Sequence, residues 1–257
     1  MSVNPIPERA VPDDGFCVRS LAVTYADGGG EPPHRHAWGQ LVYGVSGVIH
    51  VALDRAAWLA PPTRAIWAPP GVTHALSMRG RVAMRTLYIA PDWAAALPRE
   101  AAVLQISPLL RELILHVVSL QMLRSGEPAH ARLASVLVDL LAQAPSDDLV
   151  LPLPADKRAR TVCERIQAAP DDRAGLATLA RDAGASLRTL QRLFPAETGL
   201  SLDAWRQKAR LIHAVAQLSS GAPVTTAALD SGYDSPSAFI AAFRRQFGVT
   251  PGRWRQR

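Results

Sequence analysis

Residues 224–255 read VTTAALDSGYDSPSAFIAAFRRQFGVTPGRWR, and an earlier stretch, residues 176–206, reads LATLARDAGASLRTLQRLFPAETGLSLDAWR. The two share one pattern. Ala180, Gly184, Leu190, Phe194, Gly199, Ser201, Trp205 and Arg206 recur as Ala228, Gly232, Phe239, Phe243, Gly248, Thr250, Trp254 and Arg255. The offset is 48 residues up to the glycine and 49 beyond it. A one-residue slip inside a turn, with matched apolar and glycine positions on both sides, marks two copies of one structural unit.

Each copy predicts two short helices around a tight turn. In the first, Leu176, Leu179 and Ala180 form an apolar helical face that stops at Gly184, a residue suited to a helix C-terminus. Ser186 then caps a second helix that buries Leu187, Leu190 and Phe194. In the second copy a helix through Ala227 and Ala228 stops at Gly232. Ser235 and Pro236 supply an N-cap and a first-turn proline ahead of Phe239, Phe243 and Phe247. Helix, glycine turn and capped helix is the helix-turn-helix pattern, whose second helix can enter a DNA major groove. Between the copies, Ser201 caps a long helix to Ser219 with Trp205, Ala209, Ile212 and Ala216 along its apolar stripe. Pro195 removes a hydrogen bond inside the first recognition helix, which is expected to bend or end there.

The run from Val224 through Phe239, continuing from Phe243 to Arg255, resembles the AraC-type transcriptional regulator domain. With the first copy, the resemblance covers about residues 156–255. It implies two helix-turn-helix units reading successive major grooves on one face of double-stranded DNA. It also implies activation or repression of transcription, with RNA polymerase as a further partner.

Charge follows the same division. Residues 155–257 carry 16 Lys and Arg against 9 Asp and Glu, whereas residues 1–154 carry 12 against 13. The cationic surplus of the chain therefore sits on the half with the repeated pattern, as phosphate contact requires. Cys17 and Cys163, the two cysteines, make no disulfide framework, which points to a reducing compartment. The polar, proline-rich N-terminus has no signal-peptide pattern, and no apolar run reaches membrane-spanning length. The expectation is a cytoplasmic protein with no membrane partner.

Residues 1–15, with Pro5, Pro7 and Pro12, read as a loose arm. From there to about Ala90 the texture is short strands broken by Gly and Pro: Val18 to Tyr25, Gln40 to Val45, Val48 to Leu53, Arg64 to Ala68 and Val82 to Ile89. Many short strands suggest a small barrel. Within it lie Gly28, His34, His36, Gln40 and Gly47, then Pro69-Pro70-Gly71 and His74. This spacing resembles the two-part motif of the cupin barrel, in which histidines and an acidic residue hold a metal. Gln40 stands where the enzyme families usually carry Glu, and Met78 where the second half-motif often carries Asn. Strand alternation independently puts His34 and His36 on one face, with Gln40 sharing their parity. Three imidazoles and an amide oxygen are feasible ligands for a divalent transition metal, so His34, His36, Gln40 and His74 are the expected metal site. Neutral ligands leave its double charge uncompensated, which favours an anionic or electron-rich small-molecule effector. Trp38, Tyr43 and Trp67 are the expected apolar walls of that effector site.

After Pro98 the pattern turns helical. Leu104 through Leu123 recur at helical spacing with Pro108 near a start, and a second helix runs from Ala131 to Ala142. The pair reads as a hairpin with more apolar surface than it needs for itself, and the family resemblance implies a homodimer interface there. Residues 144–155 read as a linker, and Asp156 caps the next helix. The fold class is thus an α+β multidomain chain: a cupin-like sensor barrel over 1–98, a helical hairpin over 99–143, a linker over 144–155 and an all-α double helix-turn-helix domain over 156–257.

With Leu187, Leu190 and Phe194 inward, the first recognition helix presents Arg188, Thr189, Gln191 and Arg192, side chains that can pair with guanine and adenine edges, while Ser186 caps and touches phosphate. The second presents Ser237, Ile240, Ala241, Arg244 and Arg245 behind the Ser235 cap, a set suited to methyl contacts and phosphate anchoring. The leading functional reading is a non-enzymatic regulator whose barrel senses a small molecule. The competing reading is a metal-dependent cupin enzyme, a dioxygenase or isomerase. Such chemistry needs a nearby carboxylate base that Gln40 cannot supply, and it gives the DNA-binding half no role.

Overall fold

The computed structural model describes residues 8–9, 14–53 and 56–255. They form two compact units: residues up to 53 together with 58–149, and residues 56–57 together with 150–255.

The first unit is sheet-rich. Its strands are β1 (Glu8–Arg9), β2 (Phe16–Tyr25), β3 (Gly30–His36), β4 (Gly39–Leu53), β5 (Ala56–Ala60, partly grouped with the second unit), β6 (Arg64–Ala68), β7 (His74–Ile89), β8 (Ala102–Gln105) and β9 (Met122–Arg124). Between them lie the short α1 (Pro91–Ala94) and the longer α2 (Pro108–Leu120), and α3 (Pro128–Gln143) follows. The long β7 is the spine. It pairs antiparallel with β2, β3 and β4. β4 also pairs with β6, and β6 with β8. The strand path is open, so the expected barrel is a coiled sheet that does not close on itself. Most of the arm expected over 1–15 lies outside the described residues, but Glu8–Arg9 adds a parallel pairing to Arg35 and His36.

Two sequence expectations change here. The separate strands Gln40–Val45 and Val48–Leu53 are one strand, β4, with register shifts near Gly44 and Ser46. Those shifts let fifteen residues follow the coil of the sheet without breaking the ladder. Leu104 and Leu123, read as helical, sit on β8 and β9; an apolar run alone does not separate a buried strand from a helix.

α2 and α3 pack on one face of the sheet. The core there holds Leu41, Tyr43, Trp67 and Leu87 against Leu110, Ile114, Val117, Leu137 and Leu141. Trp67 is fully buried, donates its indole N–H to the Pro98 carbonyl at 2.8 Å, and lies across Gly39 so closely that a Cβ there would come within 2.1 Å of its ring. Leu109, Leu120 and Val136 on the helices remain exposed. The segment read as a linker is anchored in its first half. Asp147 pairs with Arg64 and accepts from Gln105 at 2.9 Å, and Leu149 is buried.

The second unit holds β10 (Val150–Pro152), α4 (Lys157–Ala168), α5 (Leu176–Asp182), α6 (Leu187–Thr198), α7 (Leu202–Ser219), α8 (Val224–Asp230), α9 (Pro236–Phe247) and α10 (Pro251–Trp254). Its core matches the repeat: Leu190, Phe194 and Trp205 from one copy, Phe239, Phe243 and Trp254 from the other, all buried. The caps fall where the sequence puts them. Asp156, Ser186, Ser201 and Ser235 each accept a first-turn backbone N–H, and Gly184 and Gly232 take positive φ; Thr250 caps α10 in the same way, and Gly199 and Gly248 also take positive φ. α6 does not end at Pro195 but continues through it to Thr198. Pro195 and Gln191 both lie on the solvent side, where water can serve the carbonyl that the missing N–H leaves open.

Candidate functional site

The face of the sheet opposite α2 and α3 carries a buried polar cluster. β3 brings His34 and His36, β4 brings Gln40, and β7 brings His74, Thr86 and Tyr88. The register makes the alignment explicit: His34 and Leu53 both pair with His74, Gln40 pairs with Tyr88, and Val42 with Thr86. Directly paired residues share a face, so these side chains converge. His34, His36, Gln40 and His74 are each no more than 2% exposed.

Each imidazole is held by a backbone carbonyl. Nδ1 of His34 lies 2.9 Å from the Pro32 oxygen, Nδ1 of His36 2.5 Å from that of Trp38, and Nδ1 of His74 2.9 Å from that of Val72. A carbonyl can only accept, so each Nδ1 carries the hydrogen. In an uncharged ring the other nitrogen, Nε2, is then a bare lone pair directed inward. The Gln40 amide is oriented in the same way. Its nitrogen donates to Thr86 Oγ1 at 2.9 Å, and the Thr86 hydroxyl donates to the Leu41 carbonyl at 3.0 Å. The Gln40 oxygen is thereby turned inward, 3.0 Å from His36 Nε2 and 2.6 Å from His74 Nε2. One ligand nitrogen from each of the three histidines lies within 4.8 Å of the others.

Three lone pairs and an amide oxygen thus face one another in a buried space. Protonating the rings is a costly remedy, because their centroids are 4.5–5.9 Å apart. Burial holds His74 down to about 4, reinforced by the neighbouring histidines and opposed by the Val72 hydrogen bond. A cation relieves the arrangement, and nitrogen donors with one oxygen suit a divalent transition metal.

The expected effector walls do not all line this site. Tyr43 and Trp67 alternate out of register with Gln40 and belong to the core beneath α2 and α3. Trp38 stays nearby: it is 5% exposed, its carbonyl holds His36, and its ring lies 5.5 Å from the Arg19 guanidinium. Sequence reading missed Thr86 and Tyr88, which no motif flags and only the β4–β7 register brings to Gln40.

In the second unit, Ser186, Arg188, Gln191 and Arg192 of the first helix-turn-helix unit are exposed, and Thr189 is half-buried. The Ser186 hydroxyl is engaged with the Thr189 N–H and hydroxyl. On the second, Ser237, Ile240, Ala241, Arg244 and Arg245 are exposed, and Ser235 caps α9. Among the described residues no carboxylate pairs with Arg188, Arg192, Arg244 or Arg245. Arg210 on α7 joins the two copies. It donates to the Pro170 carbonyl at 2.8 Å and the Asp172 carbonyl at 2.9 Å, in the loop leading to α5. A Cβ at Gly232, in the turn between α8 and α9, would lie 2.7 Å from the same Pro170 oxygen and 2.9 Å from the Arg210 guanidinium. The turn of the second copy therefore rests against the entrance to the first.

A sheet-built unit joined to paired helix-turn-helix units defines a transcriptional regulator with its own ligand-binding domain. The family description "AraC-like ligand binding domain" matches residues 21–161, and "Helix-turn-helix domain" matches residues 179–257. The chain belongs to the AraC family of transcriptional regulators. It is 38% identical to the HTH-type transcriptional regulator NimR of Escherichia coli over 223 residues, 87% of this chain and 81% of that protein. It is 37% identical to the HTH-type transcriptional regulator RipA of Corynebacterium glutamicum over 100 residues, 39% of this chain and 30% of that one. Among solved structures it is similar to the DNA-binding domain of AdpA in complex with a target DNA, at 31% identity and a TM-score of 0.37, covering 40% of this chain and 92% of that one. No helix among the described residues is long and apolar enough to cross a membrane.

Two outcomes follow from this geometry. In chelator-treated protein, His74 binds a proton in the unfolded chain near 6.5 but in the fold only near 4. The unfolded state is therefore the better proton binder in that window. Stability should fall as pH drops from about 6.5 towards about 4, by up to roughly 3 kcal/mol, and His74→Gln should flatten the slope in urea denaturation at stepped pH. Arg210→Met should leave each helix-turn-helix copy folded by circular dichroism. It should also weaken binding to a two-site operator at least fivefold, and reduce discrimination against operators with one base pair inserted between the sites, measured by fluorescence anisotropy.

Proposed function

We propose that the first unit is a metal-dependent sensor, in which His34, His36 and His74 through Nε2 and Gln40 through its amide oxygen hold a divalent transition metal. The observation that supports this most is the backbone pinning of all three Nδ1 atoms, which leaves the inward nitrogens only as acceptors. Metal in this site, or a small-molecule effector completing its shell beside Trp38, changes the affinity of the second unit for DNA. The relatives are transcriptional regulators, and we read this chain as a regulator without an enzymatic role, acting on DNA in the cytoplasm. The exposed Leu109, Leu120 and Val136 support a homodimer through α2 and α3, and RNA polymerase is the further partner of such a regulator.

We assign base reading chiefly to Arg188, Gln191 and Arg192, with Thr189 beside them. Phosphate anchoring falls to Arg244 and Arg245, with Ser186, Ser235 and Ser237 near the strand. The exposed surface of α9 is small and apolar in its first turns, whereas that of α6 is rich in forked donors.

Titration of chelator-treated protein with Co2+, Ni2+ or Zn2+ should give one site per chain, lost in His36→Ala, and operator affinity should differ between metal-free and metal-loaded protein. Absence of stoichiometric binding by all three ions contradicts the metal reading. On the DNA side, Arg188→Ala should cost about 1–3 kcal/mol and relax specificity at one position. Arg244→Ala should weaken binding to every sequence and flatten the salt slope by roughly one unit. Equal, sequence-blind effects of both changes would contradict the division of labour.

A further inference from the structure

The metal motif that this chain resembles places a carboxylate where Gln40 stands; here a carboxylate stands instead beside His34, at the edge of the three-histidine group. β3 and β7 run in register at Gly30 with Ser77 and at Glu31 with Leu76, and again at His34 with His74. Between those points β3 advances three residues and β7 only two, so β3 carries a bulge at Pro32 and Pro33. Two prolines cannot supply ladder donors, which is why the extra residue falls there. The consequence is a reversal of parity. Simple alternation turns Glu31 to the face opposite His34. The bulge instead aligns Glu31 and His34 with Leu76 and His74, which are two apart and so share the inward face. Glu31 Oε2 accordingly lies 3.7 Å from His34 Nε2, with side-chain exposures of 10% and 1%. Its other oxygen accepts from the Tyr25 hydroxyl at 2.9 Å, which fixes the rotation of the carboxylate.

We infer that Glu31 is the anionic ligand of the metal site, taking the part of the carboxylate absent from position 40, with Tyr25 as the positioning residue that orients it. This rests on the metal-sensor reading above and goes beyond it in three respects. The donor set becomes three imidazoles, one amide oxygen and one carboxylate oxygen. The charge of the loaded site falls from two to one, which weakens the preference for an anionic effector expected from neutral ligands alone. And because Glu31 enters from β3, upstream of the His34–His36 pair, metal binding ties the bulge at Pro32–Pro33 to β7 and to Tyr25 on β2. A hard oxygen donor beside three nitrogens suits Fe2+, Co2+, Ni2+ or Zn2+ and disfavours Cu+.

The test uses the full chain, with Co2+ and Zn2+ as the probes. Affinities come from competition with a chromophoric chelator, and the cobalt-loaded protein is read by its visible ligand-field spectrum. Glu31→Gln keeps the size of the side chain and can still accept from Tyr25. It is expected to weaken Co2+ and Zn2+ binding at least tenfold and to shift the cobalt bands. Glu31→Asp should give an intermediate loss, and Tyr25→Phe a smaller loss without removal of a ligand. Thermal melts of the metal-free variants report on folding, and Glu31→Asp carries the test if Glu31→Gln is destabilised. If wild-type protein binds the ions and Glu31→Gln matches it within twofold with an unchanged spectrum, Glu31 is not a ligand, and the three-histidine reading stands without it. A loss of affinity with unchanged cobalt bands overturns the inference as well, because it places the carboxylate outside the coordination shell. If wild-type protein binds neither ion, the sensor reading itself fails.

Discussion

Three backbone carbonyls, those of Pro32, Trp38 and Val72, decide what the interior of the sheet can hold. Each takes the only hydrogen that an uncharged imidazole has to give, and so each turns a bare nitrogen towards the same small space. The Thr86 hydroxyl does the equivalent for Gln40 by leaving its amide nitrogen the donor and its oxygen the inward group. Lone pairs crowded in a buried space are unfavourable unless a hydrogen or a cation serves them. The strands that build the site belong to the same continuous ladder, β3–β7–β4, that forms the core of the unit.

The DNA-binding unit rests on a comparable constraint, though of another kind. Its two copies of helix-turn-helix share α7, and Arg210 fastens the loop before α5 beneath the turn of the second copy. Gly232 is required there twice over, by its positive φ of 75° and by the Pro170 carbonyl pressed against the place of its missing side chain. The separation of the two recognition helices is then a property of one packed body rather than of a flexible connection. Such a body is built to select operators by spacing as well as by base identity, as the Arg210→Met measurement tests.

The repeated pattern made the second unit legible, because capping serines, αL glycines and buried aromatics are local signals and both copies carry them. Ser186, Ser201 and Ser235 cap where they were read to cap, and Arg188, Gln191, Arg192, Arg244 and Arg245 stand on the surface. The sheet was less legible, because register is a long-range property. Alternation grouped His34 and His36, but Gln40 lies on β4 beyond a break in the strand, and only the β4–β7 register brings it to them; the same parity sets Tyr43 opposite Gln40, and the pairing of Leu41 with Trp67 puts that ring on the helix side too. The bulge at Pro32–Pro33 hid Glu31 by inverting the very parity used to find its neighbours. Prolines inside a strand are the one local hint of such an inversion, and here Pro32 and Pro33 mark its position. Pro195 shows the opposite error: a strong local rule against helix continuation is overridden where the orphaned carbonyl faces water.

The site depends on where three imidazole hydrogens sit, and nitrogen NMR observes them. Long-range 15N–1H correlation spectra of chelator-treated protein near pH 7 distinguish the two neutral tautomers and the imidazolium by their nitrogen shifts. The expected result is that His34, His36 and His74 all carry their hydrogen on Nδ1, with Nε2 shifts typical of an unprotonated nitrogen that change on addition of Zn2+. Hydrogen on Nε2, or a doubly protonated ring, at two or more of the three positions would contradict it.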